Sequence, residues 1–239
     1  MSQAARSPLD VQTWQWPDVL PVLPRRAAVP ALLDRVSLEQ QALDLGARWA
    51  GLAGSGRIRR WQGLVLVVDG GSGAGKTHLC QELLAGLHPL GLPLRHRLAL
   101  DDLVPGWQRL EDGVRAGATV LRDLDAGRAG RAGSWCWERM RPGPQVEVAP
   151  LSGGVLLLEG CGALACAAQS LPHLRVLRVW VDLDRRSRAE RVRQRDSYEW
   201  DTQSWEAQQV RVEQVWAQAG RQWWPSLVVR GHAPGSVLS

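Results

Sequence analysis

Residues 64–77 constrain the fold more than any other stretch. Leu64-Val65-Leu66-Val67-Val68 is an apolar run with no polar alternation, which suits a central parallel strand buried on both faces. Asp69 follows, then Gly70-Gly71-Ser72-Gly73-Ala74-Gly75-Lys76-Thr77, a fit to the phosphate-binding pattern G-x-x-x-x-G-K-[ST]. Glycine permits positive φ, so successive backbone N–H groups can turn toward one point. The helix predicted to open near Lys76 adds the positive end of its dipole, about half a charge. Lys76 is expected to reach the β- and γ-phosphates of a nucleotide, and Thr77 to offer its hydroxyl to Mg²⁺. Asp69 reads as structural, hydrogen-bonding the loop backbone.

Composition strengthens this reading. Lys76 is the only lysine among 29 basic residues, and the chain has no Phe, no Asn, one Ile and one Tyr. All five residue types have A/T-rich codons, so lysine has been replaceable by arginine nearly everywhere else. A lysine kept where an ammonium is needed argues against a plain glycine turn with a solvated side chain. The net charge of +5 fits either an anionic partner or accumulated arginine. The arginines are spread along the chain, with no dense basic patch interleaved with aromatics, which speaks against nucleic acid as partner. No apolar run is long enough for a transmembrane helix, and the first residues lack the apolar core of a signal peptide. The four cysteines show no metal-ligand spacing, so reduced, buried thiols and a cytoplasmic location are expected.

Prolines 8, 17, 21, 24 and 30 mark residues 1–35 as an extended N-terminal arm. Ser37 and Gln40 resemble a capping box. Leu38, Ala42, Leu45, Trp49 and Leu52 then recur at helical spacing, so residues 36–62 read as one amphipathic helix and a connection. Residues 63–231 form the main domain and 232–239 a tail. Strands are predicted at 64–68, 97–100, 155–158, 176–181 and 227–229. Helices are predicted at 77–87, 109–124, 185–195 and 203–219. This alternation predicts an α/β fold with a parallel sheet. The glycine-rich residues 127–133 read as a mobile loop.

Ligands of such sheets sit beyond the carboxyl ends of the strands. Asp101 and Asp102 follow one strand directly, and Glu159 ends another. A carboxylate there can take a proton from an attacking hydroxyl or hold Mg²⁺ through water. A cap or solvated turn is the plain alternative for Asp102. Arg188, Arg191 and Arg195, spaced by three and four, share one helix face. Such a face can neutralise charge on a transferring phosphoryl group; the alternative is a solvated, ion-paired helix. Arg186, Glu190 and Arg193 share another face and can pair.

In these residues the chain resembles the uridine kinase-like branch of the P-loop kinases. That branch has a loop DGxSGxGK[ST], matched by Asp69 to Thr77. It has an acidic pair after the second strand, matched by Asp101-Asp102, and an E-G after an apolar strand, matched by Glu159-Gly160. Its lid pattern is matched by Asp182, Asp184, Arg188, Arg191, Arg195 and Asp196. The chain looks closer still to uncharacterised ATP-binding actinobacterial relatives with a D-D-x-x-P-G-W element, here Asp101 to Trp107. The resemblance covers roughly residues 63–231. It implies a three-layer P-loop NTPase fold, with a five-stranded parallel sheet flanked by helices and an arginine-rich lid. It also implies Asp101 as general base, and Arg188, Arg191 and Arg195 as lid contacts to phosphates.

The expected activity is ATP- and Mg²⁺-dependent transfer of the γ-phosphate to a hydroxyl of a small acceptor, nucleoside-like in the relatives. ATP would lie on Gly70, Gly71, Ser72, Gly73, Ala74, Gly75, Lys76, Thr77, His78 and Arg195. Lys76, Asp101, Arg188 and Arg191 would act in transfer, and Thr77 and Glu159 would serve the metal. Asp102, Trp107, Trp135, Trp137, Arg139 and Glu159 would meet the acceptor, although each tryptophan is as well explained by packing. Where relatives have Y-D-W, this chain has Trp135-Cys136-Trp137, so the acceptor side departs from the pattern. Two other readings stand: an ATP-binding switch or accessory protein with little transfer, and a P-loop enzyme acting on nucleic-acid ends.

Overall fold

The computed structural model describes residues 20–52, 62–196 and 200–231. Strand β1 (Val22–Pro24) runs into helix α1 (Arg25–Leu52). There follow β2 (Gly63–Asp69), α2 (Lys76–Leu87), β3 (Leu94–Ala99), a 3-10 turn over Leu100–Leu103, and α3 (Leu110–Asp125). The hairpin β4 (Gly130–Cys136) and β5 (Arg141–Val148) leads to β6 (Val155–Glu159), α4 (Ala163–Cys166) and β7 (Leu174–Asp182). Helices α5 (Arg185–Arg195) and α6 (Thr202–Gln218), a second 3-10 turn over Arg221–Trp223, and β8 (Leu227–Arg230) complete the order.

The central sheet is parallel, in the order β1-β8-β7-β2-β6-β3. Every residue of β2 is buried, as its unbroken apolar run requires of a strand covered on both faces. Its side chains alternate between two layers. Leu64, Leu66 and Val68 pack with Leu79, Leu83 and Leu87 of α2 and with Ala28, Leu32 and Val36 of α1. Val65 and Val67 pack with Val120, Leu121 and Leu124 of α3, Leu164 of α4 and Trp216 of α6. The result is three layers, helix–sheet–helix. All six strands of this sheet point the same way, so Asp69, Ala99, Glu159, Asp182 and Arg230 gather at one end.

Three expectations are corrected here. The sheet has six parallel strands, not five. The sixth is Val22–Pro24, from the stretch read as an arm, in register Val22↔Val228, Leu23↔Val229 and Pro24↔Arg230. It lies at the sheet edge, where a proline without an N–H is tolerated. Residues 1–19 of that arm and the tail 232–239 lie outside the described residues. The helix starts at Arg25, not near Ser37, with Pro30 inside it. Pro30 removes one intrahelical bond, offset by burial of the Ala28, Leu32, Val36, Gln40 and Leu43 face. The face expected from Leu38 and Leu45 points outward, at 61% and 54% exposure. Both stripes have helical spacing, and only the sheet decides between them. Finally, residues 130–133 of the expected mobile loop begin β4, where Gly130 and Ala132 are buried and Arg131 is exposed. Gly130 allows close approach to α3, since a Cβ there would meet the Val120 carbonyl oxygen at 3.0 Å.

Among the described residues no helix is long and apolar enough to cross a membrane.

Candidate active site

The glycine loop bridges β2 and α2 at the carboxyl end of the sheet. Gly73 has φ +80, and a Cβ there would lie 2.5 Å from the Arg188 carbonyl oxygen. Only glycine fits both that backbone angle and that approach. Asp69 holds the loop from below: its carboxylate accepts from the N–H groups of Gly70 (2.6 Å), Gly162 (3.0 Å) and Leu164 (2.8 Å). Burial nevertheless outweighs these bonds and raises the Asp69 carboxyl to about 6.

Lys76 is buried, and its ammonium donates to the carbonyl oxygens of Gly70 (2.8 Å) and Gly71 (3.2 Å) and to Cys161 Sγ (3.3 Å). Burial alone would lower its affinity for the proton. The neighbouring Cys161, Asp101 and Asp69 outweigh that and hold it above the ordinary value. Burial in turn pushes the Cys161 thiol up to about 11, so the sulfur accepts as a thiol at neutral pH. Gln209 of α6 closes this group: its amide donates to Cys161 Sγ at 3.2 Å and accepts from the Ser72 N–H at 3.3 Å.

Beside the loop lies a cavity of about 400 Å³. It brings together Ser72, Gly73, Lys76, Thr77, Asp101, Asp102, Trp107, Trp137, Glu159 and Arg195 from the expected set. Thr77 Oγ1 donates to Glu159 Oε2 at 3.2 Å, while Glu159 Oε1 accepts from Arg97 Nη2. Solvent reaches Asp101 and Asp102, which are exposed at the mouth. Protein still crowds Asp101 from most directions, and that desolvation raises its carboxyl. Lys76 and Arg195 oppose the rise, while Glu159 and Asp102 add to it. Asp102 is raised too, by desolvation first, with Arg97 opposing and Glu159 adding.

Of the three arginines expected on one face of α5, two touch the glycine loop. Arg188 donates to the Ser72 and Leu183 carbonyls and to Glu206, and Arg191 Nη1 lies 3.4 Å from the Gly73 and Ala74 carbonyl oxygens. Arg195 pairs with Asp196 and lines the cavity. Arg193 pairs with Glu190 on the outer face.

Gly70, Gly71, Ala74, Gly75, Arg188 and Arg191 belong to the loop or touch it without lining the cavity, and three further expected residues, His78, Trp135 and Arg139, stand apart from both. His78 turns outward on α2, 3.8 Å from Glu82 and 67% exposed. Arg139 is exposed in the β4–β5 turn. Trp135 sits within β4, opposite Pro142. In their place the fold supplies Arg97, Cys161, Trp200 and Trp205. Cys161 was within reach of the strand-end rule, since it follows Glu159-Gly160. Trp200 and Trp205 carry no local signal, and only the packing of α6 brings them in.

No known protein family and no curated protein matches the sequence. Among solved structures, the chain is similar to a possible uridine kinase from Bacillus stearothermophilus at 17% identity and TM-score 0.47, over 83% of this chain and 99% of that one. It is also similar to a candidate fructose transport system kinase from Silicibacter sp. TM1040 at 18% identity and TM-score 0.49, over 77% of this chain and 98% of that one.

Proposed function

We propose that this chain is a phosphotransferase that moves the γ-phosphoryl group of ATP to a hydroxyl of a small acceptor. The carrying observation is that a phosphate-type loop with its buried Lys76 and the open carboxylate of Asp101 share one cavity. In this reading the loop amides and Lys76 hold the β- and γ-phosphates. Arg188 and Arg191, packed on the loop, and Arg195, on the cavity wall, offset charge on the group in transit. Asp101 accepts the proton of the acceptor hydroxyl, and its raised proton affinity suits a base.

Mg²⁺ fits Thr77 and Glu159. Their oxygens, one hydroxyl and one carboxylate, meet at 3.2 Å on the cavity wall. That is the donor set of an ion that keeps several waters and takes phosphate oxygens as further ligands. When bound, it would neutralise charge on the phosphates. Residues 63–231 carry these groups, while β1 completes the sheet and α1 packs on one of its faces. The free thiols of Cys80, Cys136, Cys161 and Cys166 suit a reducing compartment.

The test is titration with ATP and Mg²⁺, then an acceptor panel with products read by mass spectrometry. Lys76→Ala should abolish ATP binding; Asp101→Asn should bind ATP and fail to transfer. A wild-type chain that ignores ATP, or transfer that survives Asp101→Asn, would refute the reading.

A further inference from the structure

The cavity walls also bear on what the acceptor is, granted the phosphotransferase reading above. Three cations, Lys76, Arg97 and Arg195, face four carboxylates, Asp101, Asp102, Glu159 and Asp196. Arg97 is hydrogen-bonded to Glu159 and Arg195 to Asp196, and Lys76 is turned to the loop carbonyls and Cys161. The Asp101 and Asp102 side chains make no hydrogen bond or ion pair among the described residues, while Lys76 and Arg195 act on Asp101, and Arg97 on Asp102, through space. A polyphosphate held at the loop adds more negative charge to this space. Lys76, the lid arginines and, when bound, Mg²⁺ offset that charge on the loop side, whereas a second anion placed beside Asp101 and Asp102 would meet two carboxylates that no bonded cation neutralises. These two side chains disfavour an anionic acceptor at their end of the cavity.

The opposite wall is aromatic. Trp107 stacks on Trp200 with centroids 4.7 Å apart, and Trp137 leans on Trp107 at 4.5 Å. Trp205 meets Trp107 edge-on at 5.9 Å. These spacings leave no slot between the rings for an inserted aromatic, so a ligand meets the cluster from the cavity side. Trp137 Nε1 donates to the Asp101 carbonyl oxygen at 2.9 Å and Trp200 Nε1 to Asp196 at 2.8 Å. These two ring donors are thus occupied, so what Trp137 and Trp200 offer a ligand is indole surface. Indole faces beside open carboxylates attract cations.

We propose that the acceptor is a hydroxylated amine, an amino alcohol or amino sugar. Its ammonium rests between Asp102 and the Trp107–Trp137–Trp200 wall, and its hydroxyl turns to Asp101. The transfer step breaks the Pγ–O bond to the leaving diphosphate and forms a Pγ–O bond to the acceptor. The hydroxyl proton passes to Asp101.

Calorimetric titration of the full chain with charged and neutral pairs of matched size tests this: glucosamine against glucose, and choline against 3,3-dimethylbutan-1-ol. In at least one pair the cation should bind ten-fold or more tightly than its neutral partner. Asp102→Asn, a change at an exposed position, should erase that preference, and Trp200→Leu should reduce it. Equal binding within both pairs, no binding in either, or a preference that survives Asp102→Asn would overturn the proposal. Mass spectrometry of the same mixtures with ATP separates the two ideas. Amine bound but never phosphorylated would sink the phosphotransferase reading and leave the cation site standing.

Discussion

The Lys76 ammonium donates to Cys161 Sγ at 3.3 Å, so a thiol at the end of β6 is a ligand of the loop lysine. Cys161→Val should leave a buried ammonium one acceptor short and cost about 1–3 kcal/mol. Cys161→Ser, which keeps an acceptor, should cost less. Urea midpoints of the two variants check this; equal losses would show that the acceptor at this position contributes nothing.

Gly73 works at the contact between loop and lid helix. Gly73→Ala should strain a left-handed backbone and push against the Arg188 carbonyl, a cost of roughly 1–3 kcal/mol. The sharper readout is ATP affinity, expected to fall ten-fold or more. Near-normal ATP binding would mean that the loop and α5 separate more readily than their packing implies.

Transfer should show an acid limb set by Asp101. Desolvation, Glu159 and Asp102 raise this carboxyl, against Lys76 and Arg195, so the limb should lie above the ordinary carboxylate range near 4. Removing a like charge with Asp102→Asn should move it to lower pH. A pH profile of kcat/KM for both proteins decides; an unmoved limb would assign it to another group.

Asp69 gives a stability signature of definite sign. Its carboxyl rises from 3.8 to about 6 on folding, so the folded chain holds the proton more tightly than the unfolded one. Its contribution is present in full below pH ~4 and is lost as pH rises through ~6, about 3 kcal/mol in all. Urea unfolding of wild type from pH 4 to 7.5 should show this decline, and Asp69→Asn should flatten it. A parallel slope in both proteins would place the titration elsewhere.

Much of this was readable from the chain itself. Leu64–Val68 announced a buried strand because nothing polar interrupts it, and residues 70–77 announced a tight turn into a helix because glycines recur up to Lys76-Thr77. Asp101 and Glu159 followed from strand ends, and Arg188 and Arg191 from a helical repeat of three and four. The remainder depends on contacts distant in sequence. Val22–Pro24 is too short and proline-rich to read as a strand until β8 lies beside it. Leu38 and Leu45 make as good a helical stripe as Ala28, Leu32 and Val36, and only the sheet tells them apart. Gln209 reaches Ser72 and Cys161 from another layer, a meeting that no local pattern encodes.

The pairing of β1 with β8 joins the first and last strands of the described chain. A ribosome makes Val22–Pro24 before Leu227–Arg230, so the early strand waits without its partner until β2 to β7 have all been made. Contacts of such long separation form slowly. Closure of this edge is therefore a late checkpoint in assembly, and until it is passed the outer flank of β8 stays open to any other strand that comes by.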